Sequence, residues 1–428
     1  MSTVADPRRT RRPPGGSSLA VLGPTRGLLV DDPAELAERR ARRRVMTVWS
    51  LLVLNTLTFY PKTWSGAPLI IPIPSAVGKS ITQGALPLAL LVALSLNRRI
   101  VIRPSVFLCL TSLLAIEAIM NCVGAEDLGT IYRACRLTEF VVTLWLLTPW
   151  WGRSDMLLVR CHLRVAYVVL GSVVLGLFAA PHTAMALDRL GGALWPTPPP
   201  QVAEMAAVTT GVVLILWLGG QFSGRFALPV VAVCAAILLL THTRTALIAL
   251  IGGVVVGGLS LFPVRARVRK VFAVSTVVAS IAGITLSGFL TSWLARGENS
   301  TELSDLTGRT GVWSLVENAP RTRFQDLFGF GLSNKSFDGL SIDSNWLASY
   351  LDQGLFGVVV SAAILVFLFV TAFFQPRGVK RALGLFLTTY CLAASFTEVG
   401  FSDASTYLLY LALAASLLIP VTTDSQAR

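Results

Sequence analysis

Apolar runs of about 16 to 25 residues, separated by short polar or charged stretches, occupy most of the chain after residue 44. Runs of this length fit an α-helix that crosses the hydrocarbon core of a bilayer, where every backbone amide must be paired internally. The runs fall at about residues 45–60, 77–96, 104–122, 128–150, 156–180, 202–219, 226–241, 245–262, 270–290, 351–374, 382–397 and 404–420. This pattern predicts an all-α, polytopic bundle of about 12 transmembrane helices.

The regions that flank these runs divide the chain into parts. Residues 1–44 are rich in Arg, Pro, Gly and Ser, which predicts a disordered, basic, cytoplasmic tail that can touch anionic lipid headgroups. Residues 45–420 form the predicted membrane domain, and residues 421–428 form a short cytoplasmic tail. A long, partly helical outer loop is expected at about 291–350, between the ninth and tenth helices, and loops of this length usually carry function.

Composition agrees with lipid as the solvent. Apolar residues make up 54% of the 428 residues and charged residues 14%, against about 25% charge in a soluble domain. The net charge of +13 does not indicate a nucleic-acid-binding protein, because the basic residues cluster between apolar runs and form no soluble basic face.

The positions of the basic residues predict the orientation. Most of the 36 Lys and Arg fall in the N-terminal tail and in alternate loops, which places both termini in the cytoplasm and the protein in the cytoplasmic membrane. The other basic residues lie at the outer surface or in the outer half of the membrane, where charge is costly and needs a partner or a cavity. They are Lys62, Lys79, Arg133, Arg136, Arg189, Arg244, Arg296, Arg309, Arg321, Arg323 and Lys335.

Three charged residues of the fourth helix share one face. Arg133, Arg136 and Glu139 follow one another at intervals of three residues, so their side chains stack along that face. The pattern fits an internal Arg136–Glu139 ion pair that fixes the bundle, and it equally fits a cationic wall for an anionic substrate group.

Two helix starts carry further candidates. Arg244 opens the eighth helix, where it is either an interfacial residue that extends toward the headgroups or a phosphate ligand assisted by the helix N-terminus. Asp343 precedes the tenth helix, as a simple N-cap or as a general base at the membrane surface. Within the long loop, TGRTGVWSLVENAP predicts a helix with Arg309 and Trp313 one turn apart.

The chain contains no Walker A, GxSxG or HExxH motif, so a cofactor-free, metal-independent mechanism is expected.

Four stretches resemble the O-antigen ligase and polymerase superfamily of bacterial membrane glycosyltransferases. They are DRLGGALWPTPPPQVAEMAA, THTRTALIAL, GRTGVW followed by FGFG, and DSNWLASYLDQGLFG, and they cover about residues 185–360 in the order of the family. One position departs from the family pattern. When the stretches are aligned through Gly354 and Gly357, the family's His falls on Asp343 and its Asn on Ser344. A carboxylate can still accept a proton, so the role of that His can pass to Asp343.

The resemblance implies transfer or polymerisation of a polyprenyl-diphosphate-linked oligosaccharide onto an acceptor hydroxyl at the outer face of the membrane, with inversion. It implies that Arg244 and Arg309, together with Arg189, bind the leaving diphosphate and that Asp343 deprotonates the acceptor. The other expected substrate contacts are Arg133, Arg136, Trp313 and Asn345. Expected partners are the carrier-linked glycan donor, a glycan or lipid-glycan acceptor and membrane lipid. The sequence leaves ligase and polymerase as alternatives, and a multi-pass transporter or flippase for a lipid-linked or anionic solute is the competing interpretation.

Overall fold

The computed structural model describes residues 33–59, 70–71, 73–122, 127–185, 188–286, 288, 309–318, 320–337 and 340–419. Most of the predicted N-terminal tail, the C-terminal tail from residue 421, and the predicted outer residues Lys62 and Arg296 lie outside this part of the chain. Two compact units are present, divided between Arg40 and Ala41. The described part of the first is helical, and in it Arg39 donates to Glu35 at 2.8 Å.

The regular secondary structure of the described residues is almost entirely helical. The helices up to the middle of the chain are α1 (Pro33–Thr56), α2 (Ser75–Leu96), α3 (Val106–Asn121), α4 (Leu128–Leu147), a 3₁₀ turn (Thr148–Trp150), α5 (Leu157–Ala179), α6 (Pro181–Ala184) and α7 (Pro199–Leu218). They continue as α8 (Gly224–Leu240), α9 (Arg244–Leu261), α10 (Ala266–Thr285), α11 (Arg309–Glu317), α12 (Arg323–Phe328), α13 (Asn345–Phe374), α14 (Val379–Ala394) and α15 (Thr406–Leu418). The strands β1 (Ser336–Phe337) and β2 (Leu340–Ser341) pair antiparallel, with Ser336 opposite Ser341.

Each predicted apolar run overlaps one of these helices. Among the described residues, six helices are long and apolar enough to cross a membrane, namely α2, α5, α7, α9, α10 and α13. The helices α3, α8 and α15 are apolar but shorter. The described residues therefore form an all-α bundle with several helices suited to a membrane, whereas about twelve crossings remain a prediction.

The first helix begins earlier than the apolar pattern predicts. Residues 33–44, which we assigned to the tail, form the first turns of α1. Pro33 suits the first position of a helix, and the Ala, Glu, Leu and Arg residues that follow are strong helix formers. Hydropathy misses this stretch because its helix is charged rather than apolar.

The helix α7 occupies the centre of the second unit. In its most apolar stretch 89% of the residues are buried, against 6% in α10. The helices α8, α9 and α14 pack against α7, and α9 and α14 form the most extensive helix pair. The helix α7 is therefore enclosed by the rest of the bundle.

Glycines bring these central helices close together at Phe386, which is fully buried on α14. A Cβ atom added to Gly211 of α7 would lie 2.0 Å from the Phe386 ring, and one added to Gly253 of α9 would lie 2.7 Å from it. A Cβ atom at Gly257, one turn further along α9, would lie 2.8 Å from a backbone oxygen of α14. Small residues of this kind allow close helix approach in membranes.

The helix α13 is interrupted at Gly354, where φ is +62° and ψ is −159°. The loop after α12 satisfies the carbonyl groups that this break exposes. The Phe330 N–H donates to the Leu351 carbonyl at 2.9 Å, and the Gly331 N–H donates to the Asp352 carbonyl at 2.9 Å. The described part of the outer loop is thereby attached to the start of a membrane helix.

Candidate functional site

The connection between α14 and α15, residues 395–405, is the point at which the motif-bearing parts of the chain meet. Asn345, at the start of α13, accepts backbone hydrogen bonds from Gly400 (3.0 Å) and Phe401 (2.8 Å) through its Oδ1 atom. Its own N–H donates to the Ser395 carbonyl at 2.9 Å. Asn345 is 1% exposed, so these bonds are shielded from water and fix the 395–405 connection to α13.

A cavity of about 290 Å³ lies beside the 395–405 connection. It is lined by Thr56, Thr58, Arg136, Pro198, Pro200, Gln201, Glu204, Glu398, Val399, Asp403, Ala404, Ser405, Thr406 and Tyr407. These residues come from the end of α1, the middle of α4, the start of α7, the 395–405 connection and the start of α15. The lining therefore combines one guanidinium group with three carboxyl groups.

Arg136 is held against the wall of this cavity by two parts of the chain. Its guanidinium donates to the side-chain oxygen (3.3 Å) and the carbonyl (3.1 Å) of Asn55, and to the carbonyl of Ala404 (2.8 Å). Its ion-pair partner is Asp403, at 3.9 Å. The predicted Arg136–Glu139 ion pair is replaced by the Arg136–Asp403 pair, because the 395–405 connection brings the Asp403 carboxylate to Arg136.

Glu204 supplies a carboxyl group from the central helix α7. It is 5% exposed and lies beside the hydroxyl groups of Thr406 and Tyr410. Among the described residues, its Oε1 atom has no partner that meets hydrogen-bond geometry. A carboxyl group at this depth in a membrane helix is costly, and such residues usually serve a function.

Arg189 and Arg244 come together next to the same connection. Arg189 donates to the Thr241 carbonyl (3.0 Å) and to the Thr243 hydroxyl (3.3 Å), immediately before Arg244 opens α9. Burial lowers the pKa of Arg189, and the charge of Glu398 opposes that shift. An arginine remains protonated under such a shift, so positive charge is held beside Glu398.

The start of α9 also contacts the 395–405 connection directly. The hydroxyl groups of Thr245 and Thr397 are 2.6 Å apart, and Glu398 is the next residue in the connection. Two of the three predicted diphosphate ligands, Arg189 and Arg244, therefore flank the cavity, although neither of them lines it.

The helix α11 is present where the sequence predicts it and begins at Arg309. Val312 and Val316 on this helix pack with Ile342, Ala348 and Leu351, and Val399 of the connection joins the same cluster. Trp313 lies beside them, half-buried, with an indole N–H that finds no partner among the described residues. The segment that carries Arg309 and Trp313 is thus attached to α13 and to the 395–405 connection.

Asp343 lies two residues before α13, whose N-cap position is taken by Ser344. The Ser341 hydroxyl donates to its Oδ1 atom at 2.8 Å, and the side chain is half-buried. Asp343 is next to Ile342 of the α11 cluster and does not line the 290 Å³ cavity. Arg133 does not line this cavity either. Its guanidinium lies 3.9 Å from the Asp127 carboxylate and donates to the Leu332 carbonyl at 3.4 Å.

The cavity contains three carboxyl residues that the sequence interpretation did not select, Glu204, Glu398 and Asp403. One signal was present in the sequence, because Glu204 is the single charge in the sixth apolar run. Glu398 and Asp403 lie between two apolar runs and look like ordinary loop residues until the connection folds inward. In the described part of the chain, no three His, Cys, Asp or Glu side chains are grouped in a way that could hold a metal ion.

Comparison with known proteins adds a distant likeness in fold. No protein-family model and no curated protein matches the chain. The fold is similar to that of a chain from a solved structure described as "Structural coordination of polymerization and crosslinking by a peptidoglycan synthase complex". The two share 17% identity and a TM-score of 0.43, over 75% of this chain and 98% of the other. A likeness of this size assigns neither a family nor an activity.

Proposed function

We propose that the protein is a membrane glycosyltransferase that transfers or polymerises a polyprenyl-diphosphate-linked oligosaccharide onto an acceptor hydroxyl at the outer face of the cytoplasmic membrane. The observation that supports this most directly is the grouping of arginines and carboxylates around the 395–405 connection. Arg136 and three carboxyl groups line the cavity, and Arg189 and Arg244 lie beside it. The four sequence stretches that resemble O-antigen ligases and polymerases meet at the same place.

The carboxylates suit activation of the acceptor in such a transfer, and the guanidinium groups suit departure of the diphosphate. A carboxylate removes the proton from the acceptor hydroxyl, and the oxygen attacks the anomeric carbon of the donor. The bond from that carbon to the diphosphate oxygen breaks, and the polyprenyl diphosphate leaves with the electron pair. Guanidinium groups stabilise the negative charge that develops on the leaving group. A single direct displacement of this kind inverts the anomeric centre and needs no metal ion or cofactor.

The base can be assigned in two ways, and variants distinguish them. The family resemblance favours Asp343, whereas the cavity offers Glu204, Glu398 and Asp403. Loss of a general base lowers the rate by about 10²- to 10⁴-fold. We expect that fall in Asp343→Ala if the motif position is the base, and in a cavity variant such as Asp403→Asn if it is not.

Deletion tests the enzyme class. Cells that lack the protein should accumulate carrier-linked oligosaccharide and lose the corresponding surface polymer, both measurable by mass spectrometry of lipid and polysaccharide extracts. Unchanged levels of both would reject the glycosyltransferase proposal.

The proposed site is tested separately in protein that still inserts into the membrane. Arg136→Gln and Arg244→Ala should lower transfer by about 10²- to 10³-fold, the typical effect of removing a group that stabilises transition-state charge. Arg225→Gln is the matched control, because Arg225 is exposed on α8 and lines neither cavity described here. Full activity in the two site variants would reject this site and leave the enzyme class standing.

A transporter or flippase is the second candidate, and Glu204 is the observation that favours it. Buried carboxyl groups in membrane helices commonly carry protons in transporters. In proteoliposomes, a transporter would move a lipid-linked or anionic solute, and Glu204→Gln would abolish that flux. Glu117→Gln is the control, because Glu117 is also a buried membrane carboxyl group but is bonded to Gln353 at 2.6 Å, outside the cavity.

A further inference from the structure

A second cavity, of about 390 Å³, lies beside the middle of α1, whereas the candidate site lies at the end of that helix. It is lined by Arg42, Arg43, Met46, Thr47, Leu157, Arg160, Cys161 and Arg164. All of these residues belong to the unit that begins at Ala41. The cavity is formed by one face of α1 and the first two turns of α5, where Arg160 and Arg164 lie one helical turn apart.

The charge in this cavity is strongly one-sided. Asp155 approaches it and pairs with Arg42 at 3.0 Å. Among the described residues, the guanidinium groups of Arg43, Arg160 and Arg164 make no hydrogen bond or ion pair with the protein. Three arginines around one space repel one another unless an anion lies between them, and their planar donors match phosphate oxygens.

The other walls of the cavity are apolar. Met46, Leu157 and Cys161 line it beside the arginines. Further along the same two helices the bundle closes, since the Trp49 indole N–H donates to His162 at 3.5 Å and both side chains are buried. The space is therefore charged at its mouth and apolar toward the bundle, as a binding site for a lipid headgroup and the start of its chains would be.

The position along the chain places this cavity at the level of the headgroups. Arg42 and Arg43 immediately precede the apolar part of α1, and Arg160 lies in the first turn of α5, a helix long enough to span the membrane. The candidate site begins at Thr56, about 20 Å further along α1 at 1.5 Å per residue. The two cavities therefore lie at different depths along α1, and the charge pattern predicts that this one is on the cytoplasmic side and the candidate site on the outer side.

We infer that this arginine-lined cavity binds the phosphate of an anionic phospholipid. The guanidinium groups of Arg43, Arg160 and Arg164 hold the phosphate, and the apolar wall receives the first part of the acyl chains. Basic pockets between membrane helices on the cytoplasmic side bind anionic headgroups by the same chemistry. The inference does not depend on which reaction or transport the opposite face carries out.

The test measures the stabilisation of the full-length purified protein by added lipid, because a ligand of the native state raises the unfolding temperature. Phosphatidylglycerol, phosphatidylcholine and inorganic phosphate are titrated separately. Phosphatidylglycerol should stabilise the wild-type protein at the lowest concentration. In the double variant R160Q/R164Q the half-saturating concentration should rise by roughly 25-fold, since each arginine near an anionic surface contributes a factor of about five.

The matched control is R225Q/R377Q, which removes two exposed arginines that do not line this cavity and should leave the titration unchanged. The single variant R43Q serves if the double variant does not fold, with an expected increase of about fivefold. Equal stabilisation by phosphatidylcholine, or equal titrations in the cavity and control variants, would overturn the inference. Inorganic phosphate that acts as strongly as phosphatidylglycerol would also overturn it, by showing a free-phosphate site.

Discussion

Asn345 was selected from the sequence as a substrate contact, and its side-chain oxygen is used within the protein. Two buried backbone N–H groups, those of Gly400 and Phe401, depend on it. Its Nδ2 atom has no hydrogen-bond partner among the described residues, so a role toward the substrate remains a prediction that rests on that nitrogen. One side chain thus holds the 395–405 connection through its oxygen, while its buried nitrogen is a donor that no described residue uses.

Replacement of Asn345 by Ala tests this dependence. The variant leaves two buried N–H groups without an acceptor, and each unsatisfied group costs about 1–3 kcal/mol. We expect a lower unfolding temperature in detergent than for the wild type. Asn334→Ala is the control, since Asn334 is exposed and forms only local hydrogen bonds. Equal unfolding temperatures for the two variants would show that the connection is held by other contacts.

The cations of the site were predictable and its carboxylates largely were not. Arg136, Arg189 and Arg244 stand out in the sequence because they break the expected charge bias of the loops. Asp403 and Glu398 break no rule, since acidic residues between apolar runs are common. Only the inward fold of the connection, bonded to Asn345 and Arg136, makes them part of a cavity.

At the scale of secondary-structure elements, the break in α13 is the feature that joins the outer loop to the bundle. A Cβ atom added to Gly354 would lie 2.4 Å from the carbonyl carbon of Leu327 and 2.5 Å from the backbone nitrogen of Phe328. Positive φ adds a second penalty for any other residue. The first glycine of the Gly-x-x-Gly pattern therefore marks a close contact between the backbone of α13 and the backbone of α12.

Gly354→Ala should displace the loop after α12 and destabilise the protein by about 1–3 kcal/mol, from backbone strain at this position alone. The measurement is the unfolding temperature, together with protease sensitivity of residues 321–337, which contain α12 and the loop after it. Gly84→Ala is the control, because Gly84 lies within α2 and a Cβ atom added there meets nothing within 4 Å. A loop that stays as protease-resistant as in the control would contradict the proposed contact.

The apolar pattern located the helices better than it located their ends. The tenth run was placed at 351–374, whereas α13 begins at Asn345. The extra residues 345–350 include Ser349, and Asp352 and Gln353 follow at the start of the predicted run; all three polar side chains are buried. They lie inside because each has a partner: Ser402, Ser333 and Glu117 respectively.

At the scale of the whole molecule, the charge pattern predicts how the helices alternate across the membrane. Single cysteines at Arg99, Asp188, Arg265 and Asn334, all exposed positions, can be labelled with an impermeant maleimide after the free cysteines are replaced by alanine. With every intervening apolar helix crossing once, Asp188→Cys and Asn334→Cys should react from outside in intact cells. Arg99→Cys and Arg265→Cys should react only after the cells are opened. If two consecutive positions in this series react from the same side, the number of membrane crossings between them is even, which contradicts the prediction.

The glycines around Phe386 have a consequence for genetic screens of this protein. Gly211, Gly253 and Gly257 line neither cavity, yet any side chain at these positions collides with a central ring or with backbone. A library of random substitutions selected for inactivity would return these three codons as often as codons of the site itself. A map of such substitutions would show two clusters. Those at the centre of the bundle would inactivate the protein by disturbing helix packing and not by removing a functional group.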